Sequence, residues 1–352
     1  MNQRIVTIKE QILTAIDSDE SIKVVGGNSK EFLGRTTAGL RMDMAGYTGI
    51  ISYEPTELFI TARAGTLLTE VKQALAEQGQ MLPFTPPEVN EKTTIGGVVA
   101  TGLSGPCRPY TGSVRDFVLG IRCINGLAKE MSFGGQVMKN VAGYDLSRLL
   151  TGSFGTLGII MDVTFKVLPI PEFELSACKK MTKEEAIRVM SELTTKPIPI
   201  SAVCYYENLL YVRFSGNENV IRDCLKTFEL EEYDDGVRFW NELRDFKHSL
   251  FKSDKPLWRL SVPSLTNLNL KGDDFLMDWG GAQYWLVSDR PSNEIFNIAE
   301  QQGGSAMLFR GGNHDGDVFQ PLSETLFKLH KNLKHAFDPH RVLNAGKMYA
   351  DI

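Results

Sequence analysis

Two stretches of this 352-residue chain place small and hydroxyl-bearing residues where an anion could be held against the main chain. The first is Val25-Gly26-Gly27-Asn28-Ser29-Lys30. An apolar strand that ends on two glycines and continues into amide and hydroxyl side chains can form a concave nest of N–H groups. A Gly-Gly turn alone is also an ordinary loop signal. The second runs Thr93-Thr94-Ile95-Gly96-Gly97-Val98-Val99-Ala100-Thr101-Gly102-Leu103-Ser104-Gly105-Pro106 and resumes at Tyr110-Thr111-Gly112-Ser113-Val114-Arg115-Asp116-Phe117-Val118-Leu119-Gly120. It carries too little bulk to make a core. It reads as one long loop whose amides can approach a pyrophosphate while Thr and Ser hydroxyls meet its oxygens. Purely structural glycine loops of that length are uncommon. A third run, Lys139-Asn140-Val141-Ala142-Gly143-Tyr144-Asp145-Leu146, leads to Gly152-Ser153-Phe154-Gly155-Thr156-Leu157-Gly158-Ile159-Ile160 and suits a tight turn feeding a strand past a flat ligand.

Other chemistries find little support. No Gly-x-Gly-x-x-Gly occurs, and the Gly346-Lys347 pair lacks the upstream glycine and following hydroxyl of a P-loop. Neither a Ser–His–Asp nor a Cys–His set has suggestive spacing. Cys107, Cys123, Cys178, Cys204 and Cys224 are scattered without a Cys-x-x-Cys pair, which argues against a zinc ribbon or cysteine-ligated cluster and for thiols in a reducing cytoplasm. A net charge of −5 without a basic block argues against nucleic acid. No apolar run is long enough for a membrane span, and Met1-Asn2-Gln3-Arg4-Ile5 does not open a signal peptide. A cytoplasmic protein is expected, with peripheral attachment at the inner face of a membrane open through partners.

The elements that must position these segments alternate between strand and helix. Ile22–Val25, Glu57–Arg63, Phe117–Ile124 and Gly158–Leu168 read as strands. A helix opens at Thr66, aligns Leu68, Val71 and Leu75, and stops at Gly79. Pro169-Ile170-Pro171 marks a boundary. Beyond it, Thr182 and Glu185 form a capping box, and Ile200–Tyr206 and Leu209–Ser215 a hairpin turning at Glu207-Asn208. Helices follow at 219–228, at 237–251 and from Ser292 to Gly303, with strands at 258–262 and 283–287. An amphipathic helix over Leu322–Phe337 closes at Asp338-Pro339. The expected division is 1–170, a smaller α+β lobe of ferredoxin-like type over 171–320, and a terminal helix and tail over 321–352.

Taken in order, the glycine segments resemble the PCMH-type FAD-binding domain of the vanillyl-alcohol oxidase superfamily, an α+β fold of two subdomains with a smaller α+β cap lobe. The tail from Leu333 to Met348, through Asp338-Pro339 and Asn344-Ala345-Gly346, resembles the D-2-hydroxyacid dehydrogenase branch, in which it returns to the flavin domain. The short cap and the Gly-Gly-Asn-Ser-Lys-x-Phe-Leu-Gly loop are most similar to the smaller FAD-binding subunits of bacterial glycolate oxidases. The resemblance implies FAD held at its pyrophosphate by Gly26, Gly27, Asn28, Ser29 and Lys30 and by Thr94, Ile95, Gly96 and Gly97. It puts Thr101, Ser104, Gly105, Ser113, Asp116 and Val118 along the cofactor, Gly158 and Ile160 near its adenine or ribose, and Pro87, within the Pro86-Pro87-Glu88 turn, close by. It further implies oxidation of glycolate to glyoxylate in a complex with a larger FAD-binding subunit and an iron–sulfur subunit.

The sequence departs from the superfamily in two respects. Its histidines, His248, His314, His330, His335 and His340, all lie in the C-terminal third, so a histidyl link to flavin in the first domain is ruled out and non-covalent FAD is expected. The metal-binding motif of D-2-hydroxyacid oxidising relatives is reduced to Gly312-Asn313-His314-Asp315-Gly316-Asp317, without its second histidine, so no metal is expected. Arg259, Arg310 and Arg341 could meet a substrate carboxylate, but the sequence does not choose among them and no catalytic residue is assigned. A self-sufficient hydroxyacid dehydrogenase and a non-catalytic structural subunit remain the alternatives.

Overall fold

The computed structural model describes residues 2–135 and 146–352, so most of the third glycine run, Lys139–Asp145, lies outside the described residues. The chain forms two compact units: Met1–Leu103 with Ser113–Pro169 and Leu322–Ile352, and Ser104–Gly112 with Ile170–Pro321. Residues 104–112 therefore group with the cap, although sequence reading places them in the first domain.

In the first unit, a helix over Asn2–Ser18 turns Ile5, Ile8, Ile12 and Ala15 inward. That spacing is helical, but the stretch reads as merely charged when its flanks draw attention first. The helix packs with the parallel pair Ile22–Val25 and Leu40–Asp43 and with Val342 and Leu343 of the tail. A five-stranded antiparallel sheet follows, in the order Ile50–Glu54, Phe59–Arg63, Ile159–Lys166, Val118–Ile124, Glu130–Gly134. Its central strand, Ile159–Lys166, is buried at all but two positions, as a strand packed on both faces must be.

The long glycine segment is not a loop throughout. Ile95–Thr101 is a helix capped by Thr94, whose Oγ1 accepts from Gly97 N–H, and it ends on Gly102 in the left-handed region (φ +62°). Short helices follow at Arg108–Thr111 and Val114–Phe117. Glycine disfavours a helix by about 1 kcal/mol relative to alanine. Burial of Ile95, Val98 and Val99 in the sheet's core outweighs that cost here.

The second unit is a single eight-stranded antiparallel sheet built from two related halves. Strand Glu174–Lys180, helix Lys183–Thr195, strands Ile200–Tyr206 and Leu209–Ser215, helix Glu218–Phe228 and strand Glu231–Glu232 give the ferredoxin-like β-α-β-β-α-β order. Leu257–Ser261, Asp274–Asp278, Gln283–Val287, helix Ser292–Glu300 and Ser305–Arg310 repeat it without the first helix. The halves join where Tyr205 pairs with Met277. Positive φ at Glu207 and Asn208 (+48° and +62°) gives the tight turn of the expected hairpin the twist its strands need. The capping box forms as read, Thr182 Oγ1 accepting from Glu185 N–H and the Glu185 carboxylate from Thr182 N–H.

The tail is fastened to the first unit by a buried ion pair. Lys334 Nζ donates to Asp338 Oδ2 (2.8 Å) and to the carbonyls of Thr156 (2.8 Å) and Leu343 (2.7 Å). Asp338 in turn accepts from Val342 N–H (3.1 Å) and Leu343 N–H (2.8 Å). Removing one partner strands the other charge in the interior, a loss of about 3–5 kcal/mol. Lys334→Met should therefore lower the unfolding free energy by roughly that amount in urea titration.

Candidate functional site

The first unit carries an open groove between the Gly26–Lys30 loop, the helix Ile95–Thr101 and the tail. It continues inward along Met44, Ala64, Gly158 and Ile160. Val24, Gly26, Thr94, Gly97, Ala100, Phe154 and Asn344 line both parts. Asn344, at φ +42°, holds the walls together: its Oδ1 accepts from Val24 N–H (2.8 Å) and its Nδ2 donates to Phe154 O (2.7 Å).

Close packing builds the loop. A Cβ on Gly27 would stand 1.4 Å from the Lys92 carbonyl oxygen, so only glycine fits there. Asn28 takes a left-handed conformation (φ +55°), which turns successive N–H groups toward one side. Among the described residues, no main-chain carbonyl accepts from the N–H groups of Gly27, Asn28, Ser29 or Lys30. The helix differs. Ile95 N–H donates to Thr66 O (2.9 Å), Gly96 N–H to Ala64 O (2.7 Å) and Gly97 N–H to Thr94 Oγ1 (3.3 Å). Its first amides are thus engaged, and it offers the groove the surface of Gly97 and Ala100 and the side chains of Thr94 and Thr101.

Charge gathers at the groove mouth. Among the described residues, Lys23, Lys30 and Lys347 line it against a single carboxylate, Glu31. Hydrogen bonds from Lys23 and Asn28 hold the Glu31 carboxyl below its ordinary range. Lys347 Nζ donates to Arg35 O (3.0 Å), and burial pushes its ammonium down to about 8. Lys30 is buried, its Nζ meets no hydrogen-bond partner among the described residues, and desolvation lowers it to about 8.

Chemistry-bearing residues of the second unit converge on Trp279. Its indole N–H donates to Gly105 O (3.2 Å), and the guanidinium groups of Arg108 and Arg259 contact its ring at 4.5 and 5.0 Å from the centroid. Asp278 accepts from Trp279 N–H (2.7 Å) and Gln283 Nε2 (3.3 Å), yet burial drives its carboxyl up to about 7. Of the three arginines considered above, Arg310 donates to Phe251 O and Arg341 to Ala350 O, while Arg259 donates through Nε to Gln283. In the loop Gly312–Asp317, Asn313 Oδ1 accepts from Asp315 N–H (2.9 Å), a local turn. No group of three or more His, Cys, Asp or Glu among the described residues is placed to hold a metal ion.

Residues 7–134 match the family described as FAD binding domain. The glycolate oxidase subunit GlcE of Escherichia coli is 45% identical over 344 residues, covering 97% of either chain. The chain belongs to the GlcE family. It is therefore an FAD-binding glycolate oxidase subunit, of an oxidoreductase family acting on hydroxy acids. Glycolate oxidase subunit GlcD of Bacillus subtilis is 29% identical over 384 residues, 90% of this chain and 80% of that one. A solved alkyldihydroxyacetonephosphate synthase shares the fold, with a TM-score of 0.67 at 15% identity over 96% of this chain and 74% of its own.

In this GlcE-family chain the expected site residues divide. Gly26, Gly27, Asn28, Ser29, Lys30, Thr94, Gly96, Gly97, Thr101, Gly158 and Ile160 line the one groove. Ile95 and Val118 are buried in the sheet's core. Ser113 and Asp116 cap the helix Val114–Phe117, with Ser113 Oγ donating to Asp116 Oδ2 (2.6 Å). Pro87 is buried in a turn tied down by Lys72 and Glu88 (3.0 Å), and Ser104 and Gly105 belong to the second unit. Sequence reading missed Met44, Ala64, Ala100, Phe154, Asn344 and Lys347 as groove residues. Ala100 and Phe154 lie inside the glycine runs and Asn344 in the tail motif, but no local pattern singles out Met44, Ala64 or Lys347.

Asp278 yields a pH prediction. Its folded-state carboxyl lies above the ordinary 3.8, so the folded chain holds the proton and that contribution to stability is lost as pH rises toward 7. Thermal unfolding of Asp278→Asn should decline less than wild type between about pH 4 and 7.

Proposed function

We propose that this chain holds FAD non-covalently in the first unit's groove, as the flavin-bearing partner within a glycolate-oxidising complex. The observation that carries the reading is the convergence of two glycine segments, far apart in sequence, on one groove whose Gly27–Lys30 N–H groups meet no main-chain carbonyl among the described residues and whose described lining carries excess positive charge. The residues fit a dinucleotide. The pyrophosphate would be held by the N–H groups of Gly27–Lys30 and beside Gly97, where a Cβ would meet only Thr94 Oγ1, at 3.3 Å. Met44, Ala64 and Ile160, which line the apolar inner part, would hold the adenine. When bound, FAD supplies the two-electron acceptor for oxidation of a hydroxyacid. The protein binds and orients it, and the tail, through Asn344, closes one wall.

Two facts support a non-covalent cofactor. Among the described residues no histidine lines the groove, and Cys123, the cysteine of the first unit, is buried with its thiol raised to about 12. GlcE and GlcD are both named subunits of glycolate oxidase, which supports assembly with a larger GlcD-like FAD-binding subunit. With no Cys-x-x-Cys pair in this chain, onward electron transfer falls to a separate iron–sulfur subunit. No disulfide joins the five cysteines, which supports a cytoplasmic site of action, with any membrane attachment made through partners. No helix of the described residues is long and apolar enough to cross a membrane.

The purified chain should show flavin absorption bands, and acid precipitation should leave all of the flavin in the supernatant. Glycolate added anaerobically should leave those bands unbleached until the partner subunits are present. Bleaching of the isolated chain would instead make it a self-sufficient dehydrogenase, and a chain that takes up no FAD would be a structural subunit. Two glycine variants check the placement. Gly97→Ala should keep its stability within about 1 kcal/mol, since alanine is the better helix former, but lower FAD affinity about tenfold or more. Gly27→Ala should fail to reach a stable fold with or without FAD. Unchanged flavin titration of Gly97→Ala would move the pyrophosphate elsewhere.

A further inference from the structure

Among the described residues, Lys30 is a buried cation without a hydrogen-bond partner. Its side chain lines the groove, it is 8% exposed, and its Nζ is shielded from solvent with no hydrogen-bond partner among the described residues. An isolated buried ammonium is costly, and folding normally supplies a carboxylate or carbonyl for it. The nearby carboxylate is already engaged: Glu31 is tied to Lys23 and Asn28. Among the described residues, the groove's other titratable groups are Lys23 and Glu31, on the same stretch of chain, and Lys347 on the tail; the helix Ile95–Thr101 and Phe154 contribute none. Three ammonium groups against one carboxylate leave an excess of positive charge matching in sign and size a pyrophosphate diester.

We propose that Lys30 is the charge-specific ligand of the cofactor's pyrophosphate, that its missing partner is that anion, and that flavin binding is therefore coupled to protonation of this one side chain. The assignment rests on the placement of FAD proposed above and adds a role for a single residue. The flavin-free chain carries the cost of an uncompensated cation, which drives the ammonium down to about 8. An oxyanion beside Nζ reverses that shift, because it favours the charged form. Two consequences follow with opposite signs. Because the folded-state value lies below the ordinary 10.5, the flavin-free fold gains stability as pH rises between about 8 and 10.5. FAD affinity falls over the same range, since binding takes up a proton there.

The test compares the flavin-free full chain with its Lys30→Met and Lys347→Met variants, by FAD titration through fluorescence quenching from pH 6.5 to pH 10 and by thermal unfolding without flavin. Wild-type affinity should be level below pH 8 and then weaken by about tenfold per pH unit. Lys30→Met should bind FAD about 10- to 100-fold more weakly at pH 7, lose most of the pH dependence, and unfold at a higher temperature than wild type without flavin. Lys347→Met should keep the pH dependence. A Lys30→Met variant that binds FAD as tightly as wild type would overturn the assignment while leaving the FAD groove intact. A lowered melting temperature alongside weaker binding would reduce Lys30 to a structural role, and so would a pH dependence that disappears only in Lys347→Met. A wild-type chain that binds no FAD at any pH would remove the FAD reading itself, and the role of Lys30 with it.

Discussion

The buried pair of Lys334 and Asp338 is the interaction on which the first unit's architecture turns. Three donors on one nitrogen are all spent, on a carboxylate and two carbonyls, and the carboxylate's remaining capacity goes to the amides of Val342 and Leu343. A fully satisfied buried network holds a single geometry, because every alternative leaves a charge or a carbonyl unmet. Its consequence is positional. It delivers Leu343 to Ile22 and Asn344 to the amide of Val24 and the carbonyl of Phe154. A side chain near the C-terminus thereby sets the distance between the first strand and the turn before the sheet's central strand. Gly126 belongs to the same arrangement, since a Cβ there would stand 2.1 Å from Asp338 Oδ1.

The glycines around the groove serve two distinct purposes. At Gly27 the main chain of Lys92 occupies the space a side chain would need, and at Gly96 the Ala64 methyl lies 2.7 Å from the position of a Cβ. These residues bring segments together. Gly97 meets only the hydroxyl of its own cap, and its open side faces the groove. Glycine richness therefore signals close approach without saying whether the neighbour is protein or ligand. Electrostatics is more discriminating here. Among the described residues, the Lys30 ammonium meets no partner and the groove's one carboxylate, Glu31, is engaged with Lys23 and Asn28.

The cap pairs economy of design with a polar interior. Two ferredoxin-like halves share a continuous sheet, and a buried carboxyl, an indole and two guanidinium groups meet where the second half's Asp278–Trp279 turn receives Gly105. Trp279, Gly280 and Gly281 all take positive φ there, and such strain at a non-glycine residue persists only where the surroundings over-determine it. Segment 104–112 joins this cap because its Gly105 carbonyl and the side chains of Arg108 and Tyr110 find partners or packing surfaces in it. Nothing in its composition separates it from the glycine run on either side.

The sequence by itself determined those features governed by local periodicity and local chemistry. These include the strand into Gly26-Gly27, the helix carrying Leu68, Val71 and Leu75, the capping box at Thr182, the turn at Glu207-Asn208 and the flavin-domain character of the glycine segments. Each depends on residues within a few positions of one another. Tertiary structure alone decided that Thr94 begins a helix, because the gain comes from burying Ile95, Val98 and Val99 in a sheet assembled from distant strands. It decided that the amides of Ile95 and Gly96 are consumed by Thr66 and Ala64, while those of Gly27–Lys30 meet no main-chain carbonyl among the described residues. It also decided that Asn344, more than 300 residues away from Val24, forms a wall of the site. Hydrogen-bond satisfaction and burial are properties of the assembled neighbourhood, and no window of sequence contains that neighbourhood.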